Sequence, residues 1–162
     1  KEEGIVYKGI IYAGLMIDDG VPSVVEFNAR FGDPETQVVL PRLETDIIDI
    51  FESILTNSLD TLSIVWNPNH TVCVVLSSKG YPGSYEKGLP ITGVDMVDGV
   101  SVVHAGTKLT DDNSLVTNGG RVLGVVSEDV SLSQSIKKAY KAIDSIHFDG
   151  MYCRSDIGSK AL

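Results

Sequence analysis

The chain has 162 residues, a hydrophobic content of 43% and a formal net charge of −9, with a sequence pI near 4.6. This length is enough for one domain or two small ones, and the composition is that of a folded, water-soluble protein. The acidic balance, with no basic stripe, argues against a nucleic-acid partner bound through its phosphates. No apolar run is long enough to span a membrane, and no signal peptide opens the chain.

Cys73 and Cys153 are the only two cysteines. They form no C-x-x-C motif and have no nearby pair of histidines, so neither a zinc site nor a disulfide framework is expected. Reduced, buried thiols in a cytoplasmic protein are the expectation. The opening residues 1–4 show neither an initiator Met nor a helix cap, which favours a start inside a longer protein.

The first predicted element is an antiparallel β-hairpin. Residues 5–17 are rich in β-branched and aromatic side chains and predict one long strand, residues 18–20 (Asp-Asp-Gly) a turn, and residues 24–27 the partner strand. Gly9 and Gly14 lie inside the first strand. Each indicates a bulge or a close approach by another backbone or a ligand.

Two helices are predicted after the hairpin. Asp33-Pro34 has the pattern of an N-cap followed by proline at the first helical position, and Pro41 is expected to end or kink that short helix. A second helix is predicted over 45–56, where five apolar side chains fall on one face. They are Ile47, Ile50, Phe51, Ile54 and Leu55.

Turn residues over 57–70 predict a boundary, with one domain at 1–60 and a β-rich domain at 68–162. In the second domain, strands are predicted at 71–77, 91–93, 100–105, 115–117 and 121–127. Ser131 and Gln134 form a capping box, and an apolar face predicts one long helix from there to about 147. That face consists of Leu132, Ile136, Ala139, Ile143 and Ile146. The fold class is therefore predicted to be α+β.

The run Glu26–Gln37, E-F-N-A-R-F-G-D-P-E-T-Q, carries the clearest chemical signal. Side chains alternate along a strand, so Glu26 and Asn28 are predicted to share one face while Phe27 points into the core. Two hard oxygen ligands on one face are what a Mg²⁺ ion carrying nucleotide phosphates needs. The alternative is that both are merely the solvated side of a hairpin strand.

Arg30 follows Asn28 by two residues, close enough to bind a carboxylate or phosphate through its planar fork of donors. A salt bridge to Glu35 or Glu44 is the structural alternative. Asp33, on physical grounds, is predicted to be a cap rather than a catalytic acid.

Several loops of the second domain are open to two interpretations. Gly80–Gly83 predicts a tight turn, and His104 a structural histidine. Residues 118–121 (Asn-Gly-Gly-Arg) could let backbone N–H groups approach an anion, with Arg121 adding charge, or could form a hairpin turn. Arg154 with Asp156 is either an ion pair or part of a site.

Taken in order, these segments resemble the C-terminal part of the glycinamide ribonucleotide synthetases (phosphoribosylamine–glycine ligases), ATP-grasp enzymes of purine biosynthesis. The resemblance covers nearly the whole chain. It runs through Tyr12-Ala-Gly-Leu, Glu26–Gln37, Lys79-Gly-Tyr-Pro-Gly, His104-Ala-Gly-Thr-Lys, Thr117-Asn-Gly-Gly-Arg-Val-Leu and Arg154-Ser-Asp-Ile-Gly.

The resemblance implies the last strands and helices of an ATP-grasp domain, followed by a small β-rich C-terminal domain. It implies that Glu26 and Asn28 bind the Mg²⁺ or Mn²⁺ that bridges the phosphates of ATP. Arg30 and Arg121 become the candidates for binding substrate carboxylate or phosphate. Candidates at the substrate cleft are Asp33, Gly119, Gly120 and Arg154.

The implied reaction consumes ATP, glycine and 5-phosphoribosylamine, through an acyl phosphate. The family's N-terminal part, with the lid that encloses ATP, does not occur in these residues, so the chain is expected to be inactive without it. Two alternatives remain: a related ATP-grasp or carboxylase-type module with another substrate, and a non-catalytic interaction module. The string Arg30–Glu35 favours the glycine ligase over the first. Retention of Glu26, Asn28, Arg30 and Arg121 together argues against the second.

Overall fold

A computed structural model describes residues 3–162. Lys1 and Glu2, which form part of the opening segment discussed above, lie outside the described residues. The chain forms two compact units, one ending at Asn67 and the other running from Pro68 to Leu162. All strand pairings among the described residues are antiparallel, and helices are few. The predicted α+β class is confirmed. No helix within residues 3–162 is long and apolar enough to cross a membrane.

The first unit opens with a hairpin of β1 (Tyr12–Asp18) and β2 (Val21–Asn28). Its two-residue turn has positive φ at both central positions, 44° at Asp19 and 79° at Gly20. That conformation matches the right-handed twist of the flanking strands, and it confirms the predicted turn. The register shifts between Gly14 and Leu15, which confirms the predicted irregularity at Gly14.

The prediction of one strand over 5–17 is wrong in its first part, because β1 begins only at Tyr12. Tyr12 pairs with Asn28, the last residue of β2, so the residues before it have no partner strand to extend along. Gly9, with a φ of 151°, also departs from extended strand geometry.

The helix after the hairpin is shorter than predicted. Helix α1 spans Thr36–Val39 and passes into a 3₁₀ helix at Leu40–Arg42, so the chain breaks regular helix at Pro41 as expected. The prediction that Asp33 is the N-cap is wrong. The helix starts three residues later, and Gly32 supplies the carbonyl that accepts the Thr36 N–H at 3.0 Å.

Helix α2 spans Ile47–Thr56. Asp46 caps it by accepting the Ile48 N–H at 2.8 Å, and Asn57 ends it in the left-handed conformation. Of its predicted apolar face only Ile50 is buried, while Leu55 is 67% exposed. A 3₁₀ helix at Leu59–Thr61 follows.

The second unit is built on a four-stranded sheet in the order β4-β7-β3-β8. The strands are β3 (His70–Ser78), β4 (Val100–His104), β7 (Arg121–Asp129) and β8 (Met151–Tyr152), and a separate ribbon pairs β5 (Thr107–Leu109) with β6 (Leu115–Thr117). The predicted strand at 91–93 is wrong: that segment makes one isolated bridge, from Thr92 to His147.

Helix α3 (Leu132–Ile143) packs on this sheet and closes the core. Ser131 caps it by accepting the Gln134 N–H, as predicted, but the helix ends four residues before the predicted 147. Ile146 still reaches the core from the following turn. The buried apolar side chains are Val72, Val74, Leu76, Ile91, Val122, Leu123, Val125, Ala139, Ala142, Ile143, Ile146 and Phe148.

Two buried serines join helix α3 to the sheet. Ser127 Oγ donates to the carbonyl of Ser135 at 2.7 Å, and Ser135 Oγ donates to the carbonyl of Ser127 at 3.0 Å. Both hydroxyls are therefore satisfied in an otherwise apolar interior, which avoids the cost of an unpaired buried polar group. Cys73 is buried in β3, as the sequence predicts, and Cys153 is half-buried.

Candidate functional site

Glu26 and Asn28 meet at the end of β2. The Asn28 Nδ2 donates to Glu26 Oε1 at 3.0 Å, so the two side chains share one face of the hairpin and converge. The Glu26 side chain lies close to the backbone of β1, because its partner on that strand is Gly14. A Cβ atom at position 14 would be 3.1 Å from Glu26 Cγ. The predicted shared face is confirmed.

The spacing of this pair suits a small divalent cation. Ligands on adjacent corners of a Mg²⁺ octahedron, with bonds of about 2.0–2.1 Å, lie about 2.9 Å apart. The Glu26 oxygen and the Asn28 amide atom are 3.0 Å apart, and a half-turn of the amide exchanges Nδ2 for Oδ1. The donor set, one carboxylate and one amide oxygen, therefore fits Mg²⁺ or Mn²⁺, leaving most positions to water and phosphate.

The surroundings of the pair are open. An apolar recess of about 430 Å³ lies directly beside Asn28 and is also lined by Tyr7, Ile11 and Phe27. No group of three His, Cys, Asp or Glu side chains within the described residues could hold a metal alone, so a cation here needs ligands from a bound molecule or water.

The prediction that Phe27 points into the core is wrong, since its side chain is 66% exposed. Apolar side chains on both faces of the hairpin are exposed. They include Leu15, Met16, Ile17, Val21, Val24 and Val25.

Arg30 lies in the bend after β2 and is exposed. Its Nη1 donates to the carbonyl of Phe31 at 2.9 Å, and among residues 3–162 it forms no ion pair with Glu35 or Glu44. The alternative that Arg30 forms a salt bridge to one of these glutamates is therefore wrong. Asp33 accepts the Gln37 amide at 2.9 Å, which ties the turn to helix α1.

Tyr12 and Glu35 are two site neighbours that the sequence interpretation did not identify. The Tyr12 hydroxyl donates to Glu35 Oε1 at 3.2 Å, on the face that carries Glu26 and Asn28. The pKa of Tyr12 lies above its ordinary value, chiefly because of the Glu35 negative charge and in smaller part because of the Glu26 charge. The only sequence signal was that Tyr12 and Glu35 belong to the resembling motifs.

In the second unit, the Asn-Gly-Gly-Arg stretch serves close packing. The hairpin-turn interpretation is wrong, because β6 and β7 belong to different sheets. A Cβ on Gly119 would be 2.8 Å from Gly106 Cα, and a Cβ on Gly120 would be 2.0 Å from the Tyr81 ring. The carbonyls of both glycines accept hydrogen bonds from Ser78, from Oγ at 2.9 Å and from N at 2.8 Å.

The two arginines of the second unit differ. Arg121 opens β7, half-buried, directly after the packed glycines. Arg154 has the ion pair that was one of its two interpretations: Nε and Nη2 donate to the two Asp156 oxygens at 2.8 and 2.6 Å. This pair holds the pKa of Asp156 below its usual range.

His104 has a structural partner, with Nδ1 3.1 Å from Thr107 Oγ1.

A polar cavity of about 420 Å³ lies in the second unit, beside the loop that follows β3. Its walls include Lys79, Tyr85, Glu86 and Asp149. The loop itself was predicted from the sequence to be a turn, but Asp149 comes from a distant segment, just before β8.

Comparison with known proteins gives a consistent result. Residues 71–160 match the family model "Phosphoribosylglycinamide synthetase, C domain", and residues 1–36 match "Phosphoribosylglycinamide synthetase, ATP-grasp (A) domain". The phosphoribosylamine–glycine ligase of Caldanaerobacter subterraneus subsp. tengcongensis is 49% identical over 159 residues, covering 98% of this chain and 38% of the relative. That of Chlorobaculum tepidum is 48% identical over 165 residues, covering 100% and 39%.

A bifunctional purine biosynthetic protein of Dictyostelium discoideum is 46% identical over 173 residues, covering 100% of this chain and 21% of its own length. The crystal structure of phosphoribosylamine–glycine ligase from Thermotoga maritima matches with a TM-score of 0.82 and 33% identity, covering 96% of this chain and 38% of that one. The chain thus spans a little over a third of the single-function relatives. It belongs to the phosphoribosylglycinamide synthetase family and corresponds to the C-terminal portion of its relatives.

Proposed function

We propose that this chain works as the C-terminal portion of a longer ligase that joins glycine to 5-phosphoribosylamine at the expense of ATP. The products would be glycinamide ribonucleotide, ADP and phosphate, a step of purine biosynthesis. The observation that carries the proposal is the convergence of Glu26 and Asn28 at 3.0 Å, in a chain whose relatives are phosphoribosylamine–glycine ligases over its whole length.

In this proposal Glu26 and Asn28 hold a Mg²⁺ or Mn²⁺ ion. When bound, the ion would supply positive charge against the nucleotide phosphates and the transferred phosphoryl group. The contribution of the chain is to hold a carboxylate and a side-chain amide together on a hairpin, so that little beyond a half-turn of the amide is needed when nucleotide arrives.

The chemistry needs activation of glycine, because a carboxylate is a poor electrophile. Transfer of the γ-phosphoryl group of ATP to a glycine carboxylate oxygen gives glycyl phosphate and ADP. The phosphoribosylamine nitrogen then attacks the carbonyl carbon, loses a proton and expels inorganic phosphate. Protein groups mainly position the reactants and balance charge during both steps.

Arg30 and Arg121 are our candidates for binding the anionic groups of the substrates. Arg30 is exposed and uses one of its five N–H groups on a backbone carbonyl, so donors remain for a carboxylate or phosphate. Gly119 and Gly120 would contribute to substrate binding indirectly, because their close packing sets the course of the loop just before Arg121. We assign Asp33 to ordering the turn next to Arg30, and Arg154 to the rim of the substrate cleft, held by its ion pair.

We also infer that residues 1–162 alone are inactive and that the whole ligase is cytoplasmic. The relatives are much longer than this chain, and two thiols without a disulfide framework suit a reducing compartment.

The experiment measures glycinamide ribonucleotide formation from ATP, glycine and 5-phosphoribosylamine by three proteins. These are the full-length ligase, residues 1–162 alone, and the full-length Glu26→Ala variant. Of these three, only the full-length ligase should turn over. Glu52→Ala, which removes an exposed carboxylate from helix α2 in the same unit, is the control and should keep full activity. Full activity in the Glu26→Ala enzyme would overturn the proposal.

A further inference from the structure

The Tyr12–Glu35 contact joins two parts of the first unit that are far apart in sequence. Tyr12 begins β1, and Glu35 immediately precedes helix α1, 23 residues later. Tyr12 pairs across the hairpin with Asn28, and Gly14 pairs with Glu26 on the same face. Tyr12, whose hydroxyl binds Glu35, therefore lies on the same face of the hairpin as the proposed cation ligands.

Glu35 is also held from the opposite side. A Cβ on Gly32 would be 2.3 Å from Glu35 Oε2, so the carboxylate folds back over a position where only hydrogen leaves room. Gly32 is buried, and its carbonyl accepts the Thr36 N–H at 3.0 Å. The turn and the phenol together give this carboxylate a defined place.

The ordinary roles for such a glutamate do not apply here. Glu35 occupies the N-cap position of α1, but its side chain makes no capping hydrogen bond. It forms no ion pair with Arg30 among the described residues. Tyr12 instead connects Glu35 to the hairpin: its hydroxyl donates to Glu35 Oε1 at 3.2 Å, and it pairs across the strands with Asn28. The negative charges of Glu35 and, to a smaller extent, Glu26 both raise the pKa of Tyr12. The negative charge of two carboxylates in one region favours a divalent cation there.

We propose that Glu35 and Tyr12 are positioning residues of the Glu26–Asn28 cation site, with Glu35 acting on the cation through a coordinated water and Tyr12 acting by holding Glu35. This proposal rests on the proposed function. Mg²⁺ keeps several of its waters in protein sites, and hydrogen-bond acceptors for those waters orient the ion. A carboxylate already engaged by a phenol is suited to that task rather than to direct ligation.

The test is direct binding of Mn²⁺ to the full-length ligase in the presence of ADP, followed by the electron paramagnetic resonance signal of free Mn²⁺. Loss of an outer hydrogen-bond partner typically weakens metal affinity about 10–100-fold. Glu35→Gln should raise the Kd for Mn²⁺ by about that factor. Tyr12→Phe should raise it less, because the carboxylate remains. The double variant should be no weaker than Glu35→Gln, because Tyr12 acts only through Glu35.

Glu52→Gln, an exposed variant with the same loss of charge, is the control and should leave the Kd unchanged. Melting temperatures are compared so that a folding defect is seen separately, and the small Tyr12→Phe change keeps the test decisive if Glu35→Gln does not fold. An unchanged Kd in both variants, with Glu26→Gln strongly weakened, would overturn this inference alone. An unchanged Kd in Glu26→Gln as well would instead overturn the proposed function.

Discussion

The packing of Gly120 against Tyr81 leads to a prediction about why glycine is needed in the loop before β7. A Cβ at Gly120 would be 2.0 Å from the Tyr81 ring, and the ring atoms are its three nearest neighbours. Gly120 does not have a positive φ, so alanine is strained there by the ring alone. For ordinary contact at 3.4 Å the ring must move by about 1.4 Å. That shift also disturbs its edge contact with Tyr85, where the centroids are 6.3 Å apart.

Overpacking of this kind costs about 1–3 kcal/mol. We therefore expect Gly120→Ala to lower the free energy of unfolding by about that amount, measured by urea denaturation of the 162-residue chain. In a Tyr81→Ala background the same change should cost almost nothing, giving a coupling energy of about 1–3 kcal/mol in a double-mutant cycle. Additive effects of the two substitutions would refute the packing explanation for this glycine.

Three further predictions concern the second unit. Gly93→Ala should lower the free energy of unfolding, measured by urea titration, by several kcal/mol more than Gly88→Ala does. The two glycines have nearly the same φ, 81° and 82°, but a Cβ at Gly93 would lie 1.8 Å from the carbonyl oxygen of Ser145, whereas a Cβ at Gly88 would contact nothing among the described residues. Equal costs would contradict the expected clash with the backbone. Phe148→Ala, at a fully buried position, should lower the free energy of unfolding by about 3–5 kcal/mol, and a loss below about 1 kcal/mol would place that ring outside the core. The pKa of Asp156 is lower in the folded state than in the unfolded state. The ionised Asp156 side chain therefore stabilises the fold above its unfolded-state pKa, and this stabilisation is lost as the pH falls through its folded-state pKa. The stability difference from Asp156→Asn should therefore shrink below about pH 4, and a difference independent of pH would contradict this.

Features set by neighbouring residues were predictable from the sequence. The Asp19-Gly20 turn, the Ser131 cap and strand β3 follow from turn chemistry, capping and apolar patterning over a few residues. The convergence of Glu26 and Asn28 was predictable for the same reason, since it needs only the alternation of side chains along one strand.

Features set by distant residues were not predictable. Burial of Phe27 depends on whether another element covers the hairpin, which alternation along β2 cannot tell. The Gly119–Gly120 pair was open to a hairpin interpretation because nothing local shows that β7 pairs with β3 and β4 instead of β6. The Tyr12–Glu35 contact spans the whole hairpin, so neither residue indicates the other in the sequence.

The proposed function depends most on Glu26 and Asn28 binding a divalent cation together. Titration of the full-length ligase and its Glu26→Gln and Asn28→Leu variants with Mn²⁺ and ADP measures this directly, by the loss of the free Mn²⁺ signal. Tight, nucleotide-dependent Mn²⁺ binding in the parent, weakened at least tenfold in both variants with melting temperature preserved, is the expected result. Unchanged Mn²⁺ affinity in both variants would contradict the assignment of this site.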